Sequence, residues 1–220
     1  MPNKPATWSL ESVLQLPPEG AVVLATAAVA DRLGEWPFER VADVSSLNAG
    51  LDTLIAVGGG SLIDRAKAWR VFESPRTRLI AIPSLWGSGA EVSPVVVLDR
   101  EGEKDIHIGQ EFVPDARCLW PELADSLPES LARHGCGDVW AHALEGFLSP
   151  LANDGLREAL AALIREMQTL PVANDPRWFE AGARACAGQA RSSVGLVHGI
   201  AHTLEAPLRR DFPDAGWGHA

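Results

Sequence analysis

The chain has 220 residues and a formal charge of −10 at pH 7, from 19 Lys and Arg against 29 Asp and Glu. So acidic a chain lacks the clustered positive charge of a nucleic-acid binder. Its 46% hydrophobic and 22% charged residues are those of a packed globular protein and exclude a wholly disordered chain. No apolar run reaches the roughly 18 residues of a membrane span, and the start of the chain has no signal-peptide core. Cys118, Cys136 and Cys186 form no CxxC pair, which predicts reduced thiols and a cytoplasmic setting.

The predicted elements begin with strands at Ala21–Thr26, Asp52–Val57, Arg78–Ile82 and Ser93–Leu98. Each is a near-continuous apolar run without alternation, as expected of strands covered on both faces of a parallel sheet. Helical spacing from Leu62 to Phe72 supplies the strand–loop–helix alternation of an α/β fold. From about Pro128 the β-branched runs vanish. Helices are predicted at Pro128–Leu148, from the cap Asn153 or Asp154 to Thr169, after Asp175-Pro176, and at Gly195–Leu208. Pro121 and Pro128 punctuate the change, dividing the chain into an α/β domain over 1–122 and a helical domain over 123–220.

Two glycine loops follow successive strands. Gly58, Gly59, Gly60 and Ser61 lie between a strand and a helix carrying Asp64 and Lys67. Backbone N–H groups at a helix start attract anions, and glycines let a phosphate approach closely. A tight strand–helix turn is the plainer alternative. The second loop is Pro83-Ser84-Leu85-Trp86-Gly87-Ser88-Gly89-Ala90-Glu91, with a flexible turn capped by Ser88 as its alternative. Two such loops share one rim of a parallel sheet, where α/β proteins bind ligands, and together they point to a nucleotide. Neither is a P-loop.

The helical half holds the other chemistry. Asp138 and His142 stand at i and i+4, as do His198 and His202, and His219 lies near the end. One face of each helix thus offers paired ligands, and a carboxylate with several imidazoles suits a divalent metal. Surface pairs are the alternative. Glu145 reads as a helix-surface group or as a carboxylate that orients a metal-bound histidine. His107 and His134 read as solvated or structural.

These residues resemble four motifs of the iron-containing (group III) alcohol dehydrogenases, within the dehydroquinate-synthase-like superfamily. Gly58-Gly-Gly-Ser-Leu-Ile-Asp64-Arg-Ala-Lys67 resembles the family's GGGSxxDxAK signature. Pro83-Ser84-Leu-Trp-Gly87-Ser88-Gly89-Ala-Glu91 is similar to its PTTxGTGSE loop. Asp138-Val-Trp-Ala-His142-Ala-Leu-Glu145-Gly resembles DALxHAxEG, and Gly195-Leu-Val-His198-Gly-Ile-Ala-His202 resembles GLxHxxAH.

The resemblance implies an α/β dinucleotide-binding domain, an all-helical domain, and Fe²⁺ or Zn²⁺ in the cleft between them. It implies Asp138, His142 and His198 as metal ligands and His202 as a catalytic group beside the nicotinamide. Gly58, Gly59, Gly60, Ser61 and Asp64 fall in the pyrophosphate-binding signature. Ser84, Leu85 and Ser88, with Lys104, are implied as further contacts to NAD or NADP. The activity implied is hydride transfer between the nicotinamide and a small alcohol or aldehyde, with a homodimer as the expected assembly. A phosphonoacetaldehyde, polyol or dehydroquinate-synthase-like enzyme is the neighbouring reading, in which Arg209 and Arg210 would hold an anionic substrate; a solvated helix end is the plainer reading of that pair.

Departures from the pattern carry expectations of their own. Position 212, where the family places its fourth ligand, is Phe, so His219 is the expected ligand. Thr26 is followed by Ala27 rather than by the family's Asp, which removes a repulsion against a 2′-phosphate and predicts tolerance of NADPH. The first βα unit reads as abbreviated. The family's helical domain continues well past this length, so a short or C-terminally truncated member, binding nucleotide or a partner without turnover, is the non-enzymatic alternative.

Overall fold

A computed structural model of the chain describes residues 4–100, 103–193 and 195–212. Its elements are β1 (Ala6–Trp8), α1 (Leu10–Leu14), β2 (Ala21–Ala25), α2 (Ala27–Ala30), β3 (Glu39–Val41), β4 (Thr53–Gly58), α3 (Gly60–Glu73) and β5 (Arg78–Pro83). They continue with β6 (Val95–Arg100), β7 (Glu103–Ile108), β8 (Ala116–Cys118), α4 (Glu129–Leu148), α5 (Asp154–Met167), α6 (Arg177–Gln189) and α7 (Leu196–Asp211). No helix among the described residues is long and apolar enough to cross a membrane.

Contacts divide the chain into two compact units. The first takes the described residues up to Leu85, with Ala90–Leu98 and Ile106–Leu127. The second takes Trp86–Gly89, Asp99–Asp105 and the described residues from Pro128 onward.

The first unit is built on a six-stranded sheet in the order β1-β8-β5-β4-β2-β3. Every pairing within it is parallel. All five residues of β2 and all six of β4 are buried, which is why their sequences run apolar without alternation. Leu24, Leu54, Ala56, Leu79 and Ala81 meet Ile63, Ala66 and Trp69 of α3 in the core.

Two buried cations brace α3. Lys67 is fully buried, and its ammonium meets three oxygens: Asp64 Oδ1 at 2.9 Å, Val95 O at 2.6 Å and Ala90 O at 3.2 Å. All three of its donors are thereby satisfied. Arg70 reaches Asp115 Oδ2 at 3.1 Å and Val113 O at 3.0 Å.

The segment Ser93–Leu98, expected as a strand of the parallel sheet, is placed differently. Among the described residues it forms β6, which pairs with β7 in a separate two-stranded sheet. The reason lies on α3: Lys67 holds Val95 O, and Asp64 Oδ2 accepts the Val97 N–H at 3.0 Å. Val96 packs beneath with Ala68 and Phe112. The place beside β5 goes to β8.

The second unit is helical. The amphipathic α5 buries Leu156, Leu160, Leu163 and Met167 on one stripe, and Asn153 caps it by accepting the Leu156 N–H at 2.9 Å. Helices α4 and α6 pack through small residues, with Ala132, Gly135, Cys136, Val139 and Ala143 buried on α4. On α6, Ala181, Gly182, Ala185 and Cys186 are buried. Trp178 is fully buried, and its indole N–H donates to Pro171 O at 2.8 Å. The fold is thus the expected α/β sheet followed by helices.

Candidate functional site

The first glycine loop lies in the sheet-bearing unit. β4 ends on Gly58, Gly59 occupies the cap position of α3 with φ −74°, and no side chain caps that helix. Ser61, which could serve as a cap or as a phosphate contact, is exposed and makes no cap hydrogen bond. A Cβ built on Gly59 would meet nothing within 4 Å, so space is open above the first turn of the helix. Ser84 N–H donates to Gly58 O at 2.9 Å, which seats the start of the second loop beside the end of the first. Both oxygens of Asp64 are engaged by the protein, one by Lys67 and one by the Val97 N–H.

In the helical unit, α4 carries Asp138 and His142 one turn apart, and the first turn of α7 brings His198 to them. All three are buried. His198 Nε2 lies 3.3 Å and His142 Nε2 3.6 Å from Asp138 Oδ1, and the two imidazole centroids are 4.3 Å apart. One ligand atom from each can be chosen so that all lie within 4.8 Å of one another. Tetrahedral ligands bonded at about 2.0–2.2 Å stand about 3.4 Å apart, close to the two distances from Asp138 Oδ1 to the histidines.

The outer partners fix which nitrogen faces inward. Gln189 Nε2 donates to Glu145 Oε2 at 2.7 Å, so Gln189 Oε1 is left as the acceptor for His142 Nδ1–H. His198 Nδ1 hydrogen-bonds Glu145 Oε2. Both imidazoles therefore spend Nδ1 on an outer oxygen and turn the Nε2 lone pair toward Asp138. Two lone pairs and a carboxylate at such range repel one another unless a cation stands among them. The donor set thus fits a divalent metal. Burial pushes the His198 pKa down, but hydrogen bonds and charge from Asp138 and Glu145 more than offset it and raise it, so without a metal a proton is the cation these carboxylates favour on that ring.

Glu145 also builds α7. Its Oε1 accepts the Val197 N–H at 2.5 Å and the His198 N–H at 3.3 Å, and Oε2 accepts the Gly195 N–H at 3.3 Å. A carboxylate on the first N–H groups of a helix meets both the donors and the positive end of the dipole. Burial raises the Glu145 pKa, but the bonds from His198 and from the α7 backbone lower it further.

Other candidates are placed as follows. His202 is half-buried on α7, its ring 6.4 Å from that of His198 and outside the ligand group. Lys104 sits between two carboxylates, Glu205 Oε2 at 3.2 Å and Asp99 Oδ2 at 3.4 Å. His107 packs edge-on against Phe72, and His134 is exposed. Arg210 is exposed and pairs with its neighbour Asp211 at 2.8 Å. The side chain of Arg209, and His219 altogether, lie outside the described residues. Gln189 was missed in the sequence. Its one signal is an uncharged polar side chain among the small residues that end an Ala- and Gly-rich helix.

Residues 27–121 match the family profile described as iron-containing alcohol dehydrogenase. An alcohol dehydrogenase of Thermococcus barophilus is 30% identical over 181 residues, covering 69% of this chain and 48% of the relative. A 1-propanol dehydrogenase of Citrobacter freundii is 32% identical over 206 residues, covering 86% and 55%. The chain therefore spans about half the length of these curated relatives. Among solved structures, an iron-containing alcohol dehydrogenase of Thermococcus thioreducens superposes with a TM-score of 0.74 at 25% identity. That match covers 90% of this chain and 69% of the other.

Proposed function

Because the chain belongs to the iron-containing alcohol dehydrogenase family, we propose that it is a metal-dependent NAD(P)(H) oxidoreductase interconverting small alcohols and aldehydes. The observation that supports this reading best is the convergence of Asp138, His142 and His198, each imidazole oriented by an outer oxygen. When bound, a divalent metal would supply a Lewis acid for the substrate oxygen, and a nicotinamide would supply or take the hydride.

The chain's own residues do the rest. Asp138, His142 and His198 would hold the metal, and their single negative charge would leave the occupied site net positive. His219 is the proposed fourth ligand. Gln189 and Glu145 keep the Nε2 atoms aimed at that point. Gly58, Gly59, Gly60 and Ser61 receive the pyrophosphate at the start of α3, where the space above Gly59 is open. Asp64 and Lys67 brace that turn from inside, and Ser84, Leu85, Ser88 and Lys104 are the further proposed cofactor contacts. His202 is the proposed proton carrier for the substrate oxygen. With Ala27 after Thr26, no carboxylate follows that strand end, and NADPH is accepted beside NADH.

The test is metal analysis of the purified chain together with NADH and NADPH oxidation by short-chain aldehydes. One Fe²⁺ or Zn²⁺ per chain with turnover that chelation abolishes is expected. Unchanged turnover in metal-free protein overturns the metal site. Nucleotide binding without turnover assigns the chain a non-enzymatic role, and a hundredfold preference for NADH refutes the tolerance of NADPH.

A further inference from the structure

Trp86–Gly89 of the second glycine loop belongs to the helical unit. Trp86 is buried, its indole N–H donates to Ala132 O at 3.0 Å, and its ring stands edge-on to Phe179. A Cβ on Gly135 would lie 2.5 Å from Trp86 O, so α4 approaches this loop closely because residue 135 has no side chain. Gly87 follows at φ +127°, a conformation that favours glycine. A Cβ on Gly87 would stand 3.0 Å from Asp138 Oδ2, 3.4 Å from Asp138 Cβ and 3.4 Å from Gly135 Cα. From the other side, a Cβ on Gly182 of α6 would lie 3.4 Å from Gly87 N. The loop is thus confined between α4 and α6, and the buried α-carbon of Gly87 is set against the carboxylate of Asp138.

We infer that Gly87 is a positioning residue: its bare α-carbon is the wall that sets where the Asp138 carboxylate stands relative to His142 and His198. The inference rests on the metal reading of that trio. A methyl group at 87 forces the carboxylate to yield by a few tenths of an ångström. Pushing on Oδ2 turns the carboxylate whose Oδ1 faces His142 and His198, although residue 87 itself contributes no ligand.

The test is Co²⁺ binding to the metal-stripped chain, read by chelator competition and by the visible spectrum of the bound ion. Wild type, Gly87→Ala and Gly20→Ala are compared, each first checked for folding by circular dichroism. Gly20 is the control. It too has a positive φ, +84°, and its Cβ would crowd a carboxylate, Asp52 Oδ2 at 2.6 Å, in the other unit. Gly20→Ala is expected to lose thermal stability and keep wild-type cobalt affinity and spectrum. Gly87→Ala is expected to bind at least tenfold more weakly with a shifted spectrum. Equal affinity and an unchanged spectrum in Gly87→Ala overturn the inference alone. Wild type that takes up no cobalt overturns the metal reading and this inference with it. Should Gly87→Ala fail to fold, Gly182→Ala presses on the same residue from α6, its Cβ 3.4 Å from Gly87 N, without altering a ligand. A shifted cobalt spectrum with weaker binding there supports the wall, and wild-type affinity and spectrum overturn it.

Discussion

Two glycine loops leave neighbouring strands of one sheet and use the same residue for opposite ends. At Gly59 the missing side chain leaves empty space, with nothing within 4 Å of where a Cβ would stand. At Gly87 and Gly89 the missing side chain is already compensated by protein: Asp138 at 3.0 Å from the first, and Cys186 Cβ at 2.3 Å from the second. The first glycine keeps room for something that arrives later, whereas the second pair lets helices close. A glycine-rich motif is therefore not one signal. Whether it serves a ligand or the core depends on what fills the space the side chain would take.

The largest expected effect concerns what stands behind the open loop. Lys67→Met removes the cation that neutralises buried Asp64 and holds Val95 O and Ala90 O. Breaking a buried pair from one side costs about 3–5 kcal/mol, so urea unfolding should show a loss of that order. A loss below about 1 kcal/mol would show that α3 and its loop stand without the strut. At the packed loop, Asp138→Ala removes the group that Gly87 abuts. Metal affinity should fall more than the tenfold to hundredfold that losing an outer partner costs, as equilibrium dialysis would show.

Glu145→Gln removes such an outer partner. It should weaken metal binding by about tenfold to a hundredfold and, through the start of α7, lower the melting temperature. Metal affinity within twofold of wild type would mean that His198 needs no carboxylate behind it. The smallest structural effect belongs to Gly59→Ala. Its φ of −74° suits any residue and its surroundings are empty, so stability should change by about 1 kcal/mol or less. Nucleotide affinity, measured by calorimetry with NADH, should nonetheless fall about tenfold or more if a phosphate comes to that α-carbon. A variant that is silent in both would make the open loop an ordinary turn and erase its contrast with Gly87.

The central strands were legible in the sequence because β2, β4 and β5 are buried on both faces and so read as unbroken apolar runs. β1, β3 and β8 are three residues each, and their pairing comes from neighbours rather than from composition. β8 holds a buried Arg117, which erases the apolar signal of a strand inside the sheet. β6 was recognised as a strand but put in the wrong sheet, since nothing local reveals that Lys67, 28 residues away, claims its backbone.

In the helical unit, Asp138, His142 and His198 were readable from helical spacing and motif. Gln189 was not, because a glutamine on a helix has no periodic signature and gains its meaning only from the His142 ring. The crowding of Gly87 against Asp138 joins residues far apart in the chain and exists only after folding.

The three thiols give a last consequence. Cys118 lies in the sheet-bearing unit, Cys136 and Cys186 in the helical one, and all are buried. Burial pushes Cys118 up to about 11 and raises Cys136 as well. Thiol reagents attack the thiolate, so each cysteine reacts only when its own surroundings open. Timed alkylation read by peptide mass would thus act as two clocks on one molecule, reporting which unit loosens first.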